Sequence, residues 1–194
     1  MRSLYVKFVV MTLGIMILSF FIAFVISNAY YQYSLKDSND AKNTEIAAEV
    51  GAFIEANPEI NIEEYASTIA DAGYQIYLTD NENYSQFFGA EFGSEKLPEY
   101  VISDVLNGSV YHGMKNFEAE IFVTGFFANE LSNTIGVPVE YDGTTYGLFI
   151  RPDINLLFNE MHLLFGVLFA LTVLLSIILV FISAHFLIKP VTKL

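Results

Sequence analysis

The chain has 194 residues, of which 54% are hydrophobic, and yet its formal net charge is −13. A composition both this apolar and this acidic predicts that the two kinds of residue occupy different parts of the sequence. The chain contains no cysteine, which excludes disulfides and thiol chemistry. No nucleic-acid partner is expected of so acidic a chain.

The first element is a stretch without charged residues, from Phe8 to Ile26. An apolar run of this length can cross the ~30 Å hydrocarbon core of a membrane as a helix. We therefore predict a first transmembrane helix over residues 8–27. A cleaved signal peptide is the alternative, because "SNA" at 27–29 loosely fits a cleavage site. The stretch is longer than the roughly 7–15 apolar residues of such peptides, which favours a retained anchor.

A second uncharged stretch, from Leu163 to Ile188, predicts a second transmembrane helix over residues 163–188. All 22 acidic residues lie in the segment 28–162, whereas basic residues precede the first stretch and follow the second. Basic flanks remain cytoplasmic. We therefore expect a cell-membrane protein with two spans, a cytoplasmic N-terminal segment 1–7, both termini inside and an extracellular segment 28–162.

The extracellular segment begins with helical patterns. Apolar residues recur at helical spacing up to Phe53 and Ile54, so the first span is predicted to continue outward as a helix that ends near Asn57-Pro58. A second helix is predicted to begin at Asn61, because Glu64 three residues later resembles a capping box, and to stop at Gly73.

Strand patterns follow. "YQIYLTD" and "YSQFFG" predict two strands joined by a turn at "NEN", and "LPEYVISDVLNG" predicts a short helix with Pro98 in its first turn and Gly108 at its end. "AEIFVTGFFA" predicts a third strand, and "GVPVEYDGTTYGLFIR" predicts two more joined by Asp142-Gly143. The fold class is therefore α+β. The order of elements resembles that of extracytoplasmic PAS- or Cache-like sensor domains.

Arg151 stands where the last strand is expected to end, because it precedes a proline. Pro152 and Asp153 suit the start of a helix, which we expect to run unbroken into the second span. Such a connection would transmit an event outside the membrane to the inside.

The sequence offers little for catalysis. It contains no HExxH, GxSxG or phosphate-binding glycine motif, and His112 and His162 are isolated. We expect His112 to be a surface or strand-end residue rather than a metal ligand. The acidic residues are scattered, which favours a solubilising surface over a cation site.

Aromatic residues near Arg151 are more informative. Phe24, Phe126, Phe127 and Phe149 could converge with it at the membrane surface, although ordinary core and interface packing explains most aromatic residues. Arg151 could pair with Asp153, which the local sequence slightly favours. Alternatively, an apolar molecule that carries carboxylates would find an apolar cleft and a guanidinium suited to bidentate binding.

The blocks "NDAK", "YQI", "VLN…YHG", "FVTGFF" and "RPDI" resemble the haem-sensing histidine kinases of the HssS family from Gram-positive bacteria. The resemblance extends from "LYVK" to "KPVTKL", and "LIKPVTKL" resembles the start of a HAMP linker over residues 189–194. It implies a homodimeric kinase that senses excess haem, phosphorylates its own histidine from ATP and signals to a response regulator that induces haem efflux. The catalytic part is expected to lie outside this chain.

The resemblance also implies roles for residues. Arg151 would anchor a haem propionate, with Phe24, Phe126 and Phe127 as walls and Phe149 beside them. Gly93 departs from the pattern where a basic residue of the family is expected, and Lys96 could substitute for it. Iron ligation stays open among His112, His162, Met161 and several tyrosines.

Ser19, Ala23 and Ser27 form a small-xxx-small face on the first span, which suggests a dimer contact within membrane lipid. Two alternatives remain open for the function. One is a sensor kinase for cationic peptides or divalent cations, and the other is a chemoreceptor or membrane anchor protein without kinase output.

Overall fold

A computed structural model describes residues 2–80, 82–92, 97–116 and 133–191. The chain divides into two compact units. One contains Met1–Ala29 and Phe158–Leu194, and the other contains Tyr30–Leu157. We call them the membrane unit and the sensor unit.

The membrane unit consists of helical segments from α1 (Arg2–Tyr30) and α6 (Ile154–Val191). The helical stretches Leu4–Ala56 and Leu164–Phe186 each contain a segment long and apolar enough to cross a membrane. The two segments pack through Val9, Val180 and Ala184. Their outward residues are apolar, as Ile17 and Phe186 show at 71% exposure, which matches a lipid environment better than water.

The helical start of the sensor unit agrees with the sequence, apart from one irregular turn. A π-helical turn (Tyr31–Leu35) follows α1 and leads into α2 (Lys36–Ala56), which ends beside the predicted Asn57. α3 (Ile62–Asp71) is capped as predicted by Asn61, whose Oδ1 accepts the N–H groups of Glu63 at 3.0 Å and Glu64 at 3.2 Å. These bonds satisfy donors that a helix start would otherwise leave without partners.

The sensor unit contains an antiparallel sheet with the strand order β2-β1-β5-β4-β3. The strands are β1 (Tyr74–Thr79), β2 (Ser85–Phe88), β3 (Tyr111–His112), β4 (Ile135–Tyr141) and β5 (Thr144–Pro152). The two remaining helices of the described residues are α4 (Glu99–Leu106) and α5 (Gly113–Asn116). The predicted α+β class is confirmed.

The hairpin between β4 and β5 is confirmed at Asp142 and Gly143, whose φ angles of 49° and 77° are those that such tight turns require. The predicted strand at 119–128 lies outside the described residues. The sequence did not predict β3, which pairs Tyr111 with Gly136.

Successive side chains of a strand point to opposite faces, and the two faces of this sheet differ. We call one the aliphatic face, because it carries residues such as Ile76, Leu78, Leu148 and Ile150, and it packs against α2 and α3. We call the other the ring face. It carries Gln75, Tyr77, Phe87, Phe149 and Arg151, and α4 packs against part of it.

The last strand leads into α6 much as predicted. β5 ends at Pro152, one residue beyond the predicted end at Arg151. The Asp153 N–H donates to the carbonyl of Gly73 at 2.8 Å, and α6 begins at the next residue. The helix runs without a break to Val191, past the predicted end of the span at 188.

Candidate functional site

Arg151 lies on the ring face near the end of β5, opposite Gln75 of β1. It is only 1% exposed, and so is Gln75. A buried guanidinium is strongly destabilising unless other groups replace the water that solvates it. The residues that surround Arg151 therefore define the site.

One amide contacts both Arg151 and the start of the membrane helix. Arg151 Nε donates to Gln75 Oε1 at 2.7 Å, and Gln75 Nε2 donates to Asp153 Oδ2 at 3.1 Å. The sequence suggested a direct pairing of Arg151 with Asp153, and the structure shows that the Gln75 amide links the two. Since Gln75 and Arg151 are paired across adjacent strands, the sheet register itself creates this link.

An aromatic ring covers the guanidinium. The Cζ atom of Arg151 lies 4.2 Å from the ring centroid of Phe92, within the range of a cation–π interaction. Phe92 also contacts Phe87 and Tyr77, with ring centroids 5.5 Å and 6.1 Å apart. Tyr77 stacks on Phe87 at 4.4 Å and lies 6.0 Å from Phe149. We call Tyr77, Phe87, Phe92 and Phe149 the ring cluster.

Two glycines make room for the ring cluster. A Cβ atom at Gly136 would lie 2.6 Å from Phe149 Cε1, and one at Gly147 would lie 2.9 Å from Phe149 Cε2. The Phe149 ring can therefore lie flat across the sheet, where Val105 of α4 packs in the same buried cluster. Burial also raises the pKa of the Tyr111 phenol, which belongs to the same hydrophobic cluster as Phe149.

The structure brings Arg151 and Phe149 to the same face, as the sequence suggested. Phe149 is fully buried and packs in the core. Phe24 belongs to α1 of the membrane unit and is 41% exposed. Phe126 and Phe127 lie outside the described residues, as do Gly93 and Lys96. The proposed haem contacts of these side chains stay predictions.

The sequence did not predict that Gln75, Tyr77, Phe87 and Phe92 would be neighbours of Arg151. Alternation in "YQIYLT" puts Gln75 and Tyr77 on the same face, opposite the aliphatic residues. A glutamine inside a strand that is buried on both faces is the signal that could have found it. Nothing in the local sequence indicated that Phe92 would cover Arg151.

A second polar cluster involves His112, for which a metal-binding role was considered. His112 Nδ1 lies 3.0 Å from Oδ2 of Asp40, which is 2% exposed, and Lys115 Nζ lies 3.1 Å from the same oxygen. The Thr44 hydroxyl donates to the Asp40 carbonyl at 2.7 Å. Within the described ranges, no three His, Asp or Glu side chains are grouped so as to hold a metal ion.

This polar cluster joins elements that are distant in the sequence. Asp40 is on α2, His112 ends β3, and Lys115 is on α5. They line an open cleft of about 610 Å³. Because a basic side chain and the imidazole already contact the Asp40 carboxylate, the arrangement is that of an ion pair that fixes α5 and the end of β3 to α2. His112 is a strand-end residue, as predicted.

The chain is similar in sequence to known proteins. A family model described as "HssS heme sensor protein N-terminal domain" matches residues 3–158. The chain is 34% identical over 190 residues to the "Heme sensor protein HssS" of Staphylococcus haemolyticus (strain JCSC1435), covering 98% of this chain and 42% of that protein. It is also 34% identical over 193 residues to the protein of the same name from Staphylococcus aureus (strain JH9), with 100% and 42% covered. No solved structure matches the chain.

Proposed function

The chain belongs to the HssS family of haem sensor proteins, and we propose that it senses haem at the outer face of the cell membrane for a two-component histidine kinase. The observation that carries the proposal is the position of Arg151. It is a cation buried beside a ring cluster, three residues before the start of a helix that continues into an apolar segment.

The chemistry of this site suits haem, which is a flat apolar molecule with two carboxylates. A guanidinium binds a carboxylate through two parallel hydrogen bonds, and aromatic rings pack against an apolar macrocycle. Arg151 would hold one carboxylate, and the ring cluster would contact the apolar part. Because Arg151 is 1% exposed, a carboxylate would reach it only after side chains that cover the guanidinium, Phe92 among them, move apart. Binding would therefore favour an open arrangement of the sensor unit.

The membrane arrangement follows from charge. Both termini would be cytoplasmic, with the sensor unit outside, because the basic flanks lie at the chain ends and the acidic residues between the spans. The sensor unit would be PAS-like or Cache-like, a proposal supported by its order of two helices, two strands, a helix and further strands around an antiparallel sheet. Ser19, Ala23 and Ser27 are exposed on α1 and would contact a second copy in a homodimer.

The output would come from a segment outside this chain, which spans about 42% of the length of the curated relatives that it matches. That segment would include a HAMP linker and a kinase domain that uses ATP, and its phosphorylated histidine would supply a response regulator for haem efflux. α6 joins the sheet of the sensor unit to the apolar segment without a break, which gives a continuous mechanical connection to such an output.

The test is Arg151→Gln in the full-length protein in lipid nanodiscs. Haem binding is measured by absorbance, and phosphate transfer is measured in a separate assay. Glutamine removes the charge but keeps an amide that can donate to Gln75. Losing one bidentate charged contact is expected to weaken haem binding by at least tenfold, since such hydrogen bonds contribute about 1.5–3 kcal/mol. Arg151→Lys should weaken it less, because the charge remains.

Lys42→Ala is the matched control, because Lys42 is an exposed cation on α2, and its haem affinity should be unchanged. Haem affinity equal to that of the unmodified protein in Arg151→Gln would refute the site. Phe127→Ala is also expected to weaken the response. A response to calcium or to a basic peptide, with none to haem, would support the alternative in which the acidic surface is the sensor.

A further inference from the structure

Gln75 uses both ends of its amide, and each end contacts a residue with a different role. Its Oε1 accepts from Arg151 Nε at 2.7 Å, and its Nε2 donates to Asp153 Oδ2 at 3.1 Å. Because Gln75 is 1% exposed, water does not readily replace either bond. Turning the amide over would place its donor against the guanidinium donor and its acceptor against the carboxylate, so only one orientation satisfies both neighbours.

The far end of this chain of hydrogen bonds is the start of α6. Asp153 is the residue immediately before α6, and its backbone N–H donates to the Gly73 carbonyl at 2.8 Å. A carboxylate at this position interacts favourably with the positive end of a helix. Gly73 in turn immediately precedes β1, the strand that carries Gln75. The start of the membrane helix is therefore tied to β1 by a backbone bond and by the Gln75 side chain.

We propose that Gln75 is a positioning residue that couples the orientation of the Arg151 guanidinium to the Asp153 carboxylate at the start of α6. The proposal rests on the role of Arg151 as the ligand anchor. A ligand carboxylate that binds the Arg151 guanidinium competes with the Gln75 amide for it. The hydrogen bond from Arg151 Nε to Gln75 Oε1 is then weakened or broken. The amide then loses the partner that fixes its orientation, and its bond to Asp153 weakens. Ligand binding thereby reaches the membrane helix through one side chain.

A swap of donor and acceptor tests this coupling. Gln75→Glu keeps an acceptor for Arg151 but faces Asp153 with a second carboxylate, which breaks the bond to the helix start. Adding Asp153→Asn supplies an amide donor to the new carboxylate at position 75 and restores the bond. Asp153→Asn alone keeps an acceptor for the Gln75 amide, so it separates the loss of the Asp153 charge from the loss of the bond to Gln75. The single variant Gln75→Glu and the double variant should both bind haem more weakly, because the new carboxylate competes with the ligand for Arg151.

The measurements use the full-length protein in lipid nanodiscs with haemin as the probe. They are the haem affinity, the maximal phosphate transfer at saturating haem and the hydrogen exchange of residues 151–157 with and without haem. Gln75→Glu is expected to reduce the maximal response by roughly fivefold or more, the size of a typical coupling between two sites. It should also abolish the haem-dependent change in exchange, and the double variant should recover both.

Gln86 of β2 gives the matched control, since it is a half-buried glutamine that accepts from the Tyr84 hydroxyl at 3.1 Å. Gln86→Glu should leave the maximal response unchanged. A double variant that responds no better than Gln75→Glu would overturn the coupling, and so would a Gln75→Glu variant with a full maximal response. The failure of the proposed function is separate, because it would appear as normal haem affinity in Arg151→Gln.

Discussion

The two faces of the sheet are built from different chemistry although they share the same strands. On the aliphatic face, Ile76, Leu78 and Leu148 are fully buried against α2 and α3. On the ring face, the same strands carry Gln75, Tyr77 and Arg151. Burial of apolar side chains stabilises a fold without regard to direction, whereas a buried guanidinium and amide require particular partners.

This difference indicates a division of roles within one sheet. The aliphatic face can supply most of the stability, because each fully buried aliphatic side chain contributes about 1.5–3 kcal/mol. On the ring face the charged guanidinium of Arg151 is removed from water, which costs free energy. Few folds bury a charge in this way without a functional reason. Substitutions on the aliphatic face should therefore change the free energy of unfolding, and substitutions on the ring face should change the response to ligand.

The largest effect is expected from Leu148→Ala on the aliphatic face. Leu148 is fully buried in β5, between β1 and β4. Truncation should lower the free energy of unfolding by about 2–5 kcal/mol through lost burial and a residual cavity. Urea unfolding of the protein in detergent micelles, followed by tyrosine fluorescence, measures it. Val110→Ala is the control, because Val110 is 43% exposed. If Val110→Ala lowered the free energy of unfolding as much as Leu148→Ala, the prediction would be contradicted.

Gly136→Ala should have the next largest effect, since it places a methyl group beneath the ring cluster. The added Cβ would lie 2.6 Å from Phe149 Cε1, so the ring must move into packed surroundings. Overpacking of this kind destabilises by about 1–3 kcal/mol. Gly14→Ala is the matched control, because no atom lies within 4 Å of that Cβ. Adding Phe149→Leu should recover part of the lost stability. If nothing is recovered, the loss comes from the backbone at position 136 and not from the clash with the ring.

Much of the fold could be predicted because its signals are local. Asn61 caps its helix through bonds to residues two and three positions later, and the Asp142-Gly143 turn adopts the positive φ angles that these residue types tolerate. β3 was missed because two residues are too few to establish an alternating pattern. The π-helical turn at Tyr31–Leu35 was missed because no composition rule marks it.

The site could be predicted only in part. Arg151 was noticeable because a lone cation among apolar residues requires an explanation. Its neighbours Gln75 and Phe92 are 76 and 59 positions away in the sequence, and only the strand register and the packing of a loop bring them together. The second polar cluster, of Asp40, His112 and Lys115, was missed for the same reason, since His112 lies on a strand far along the chain from α2.

Asn61→Ala should have a smaller effect, and it tests whether stability can change while the response does not. The Asn61 side chain accepts two backbone N–H groups at the start of α3, a helix that packs on the aliphatic face. Loss of such a cap costs about 1 kcal/mol. The midpoint of urea unfolding should fall while the haem concentration for half-maximal response stays the same. Asn61→Asp is the control, because aspartate caps equally well.

A comparably small change in stability is expected at the edge of the ring face, where adjacent residues of β2 allow the same substitution on each side of the sheet. Phe87 stacks on Tyr77 and is 38% exposed, whereas Phe88 is 7% exposed in the aliphatic core. Phe87→Leu should lower the free energy of unfolding by only about 0.5–1.5 kcal/mol, the contribution of an aromatic pair. It should nevertheless shift the haem concentration for half-maximal response, because Phe87 supports the ring that covers Arg151. Phe88→Leu should cost more stability and leave that concentration unchanged. Equal shifts in the two variants would mean that the two faces do not divide stability from sensing.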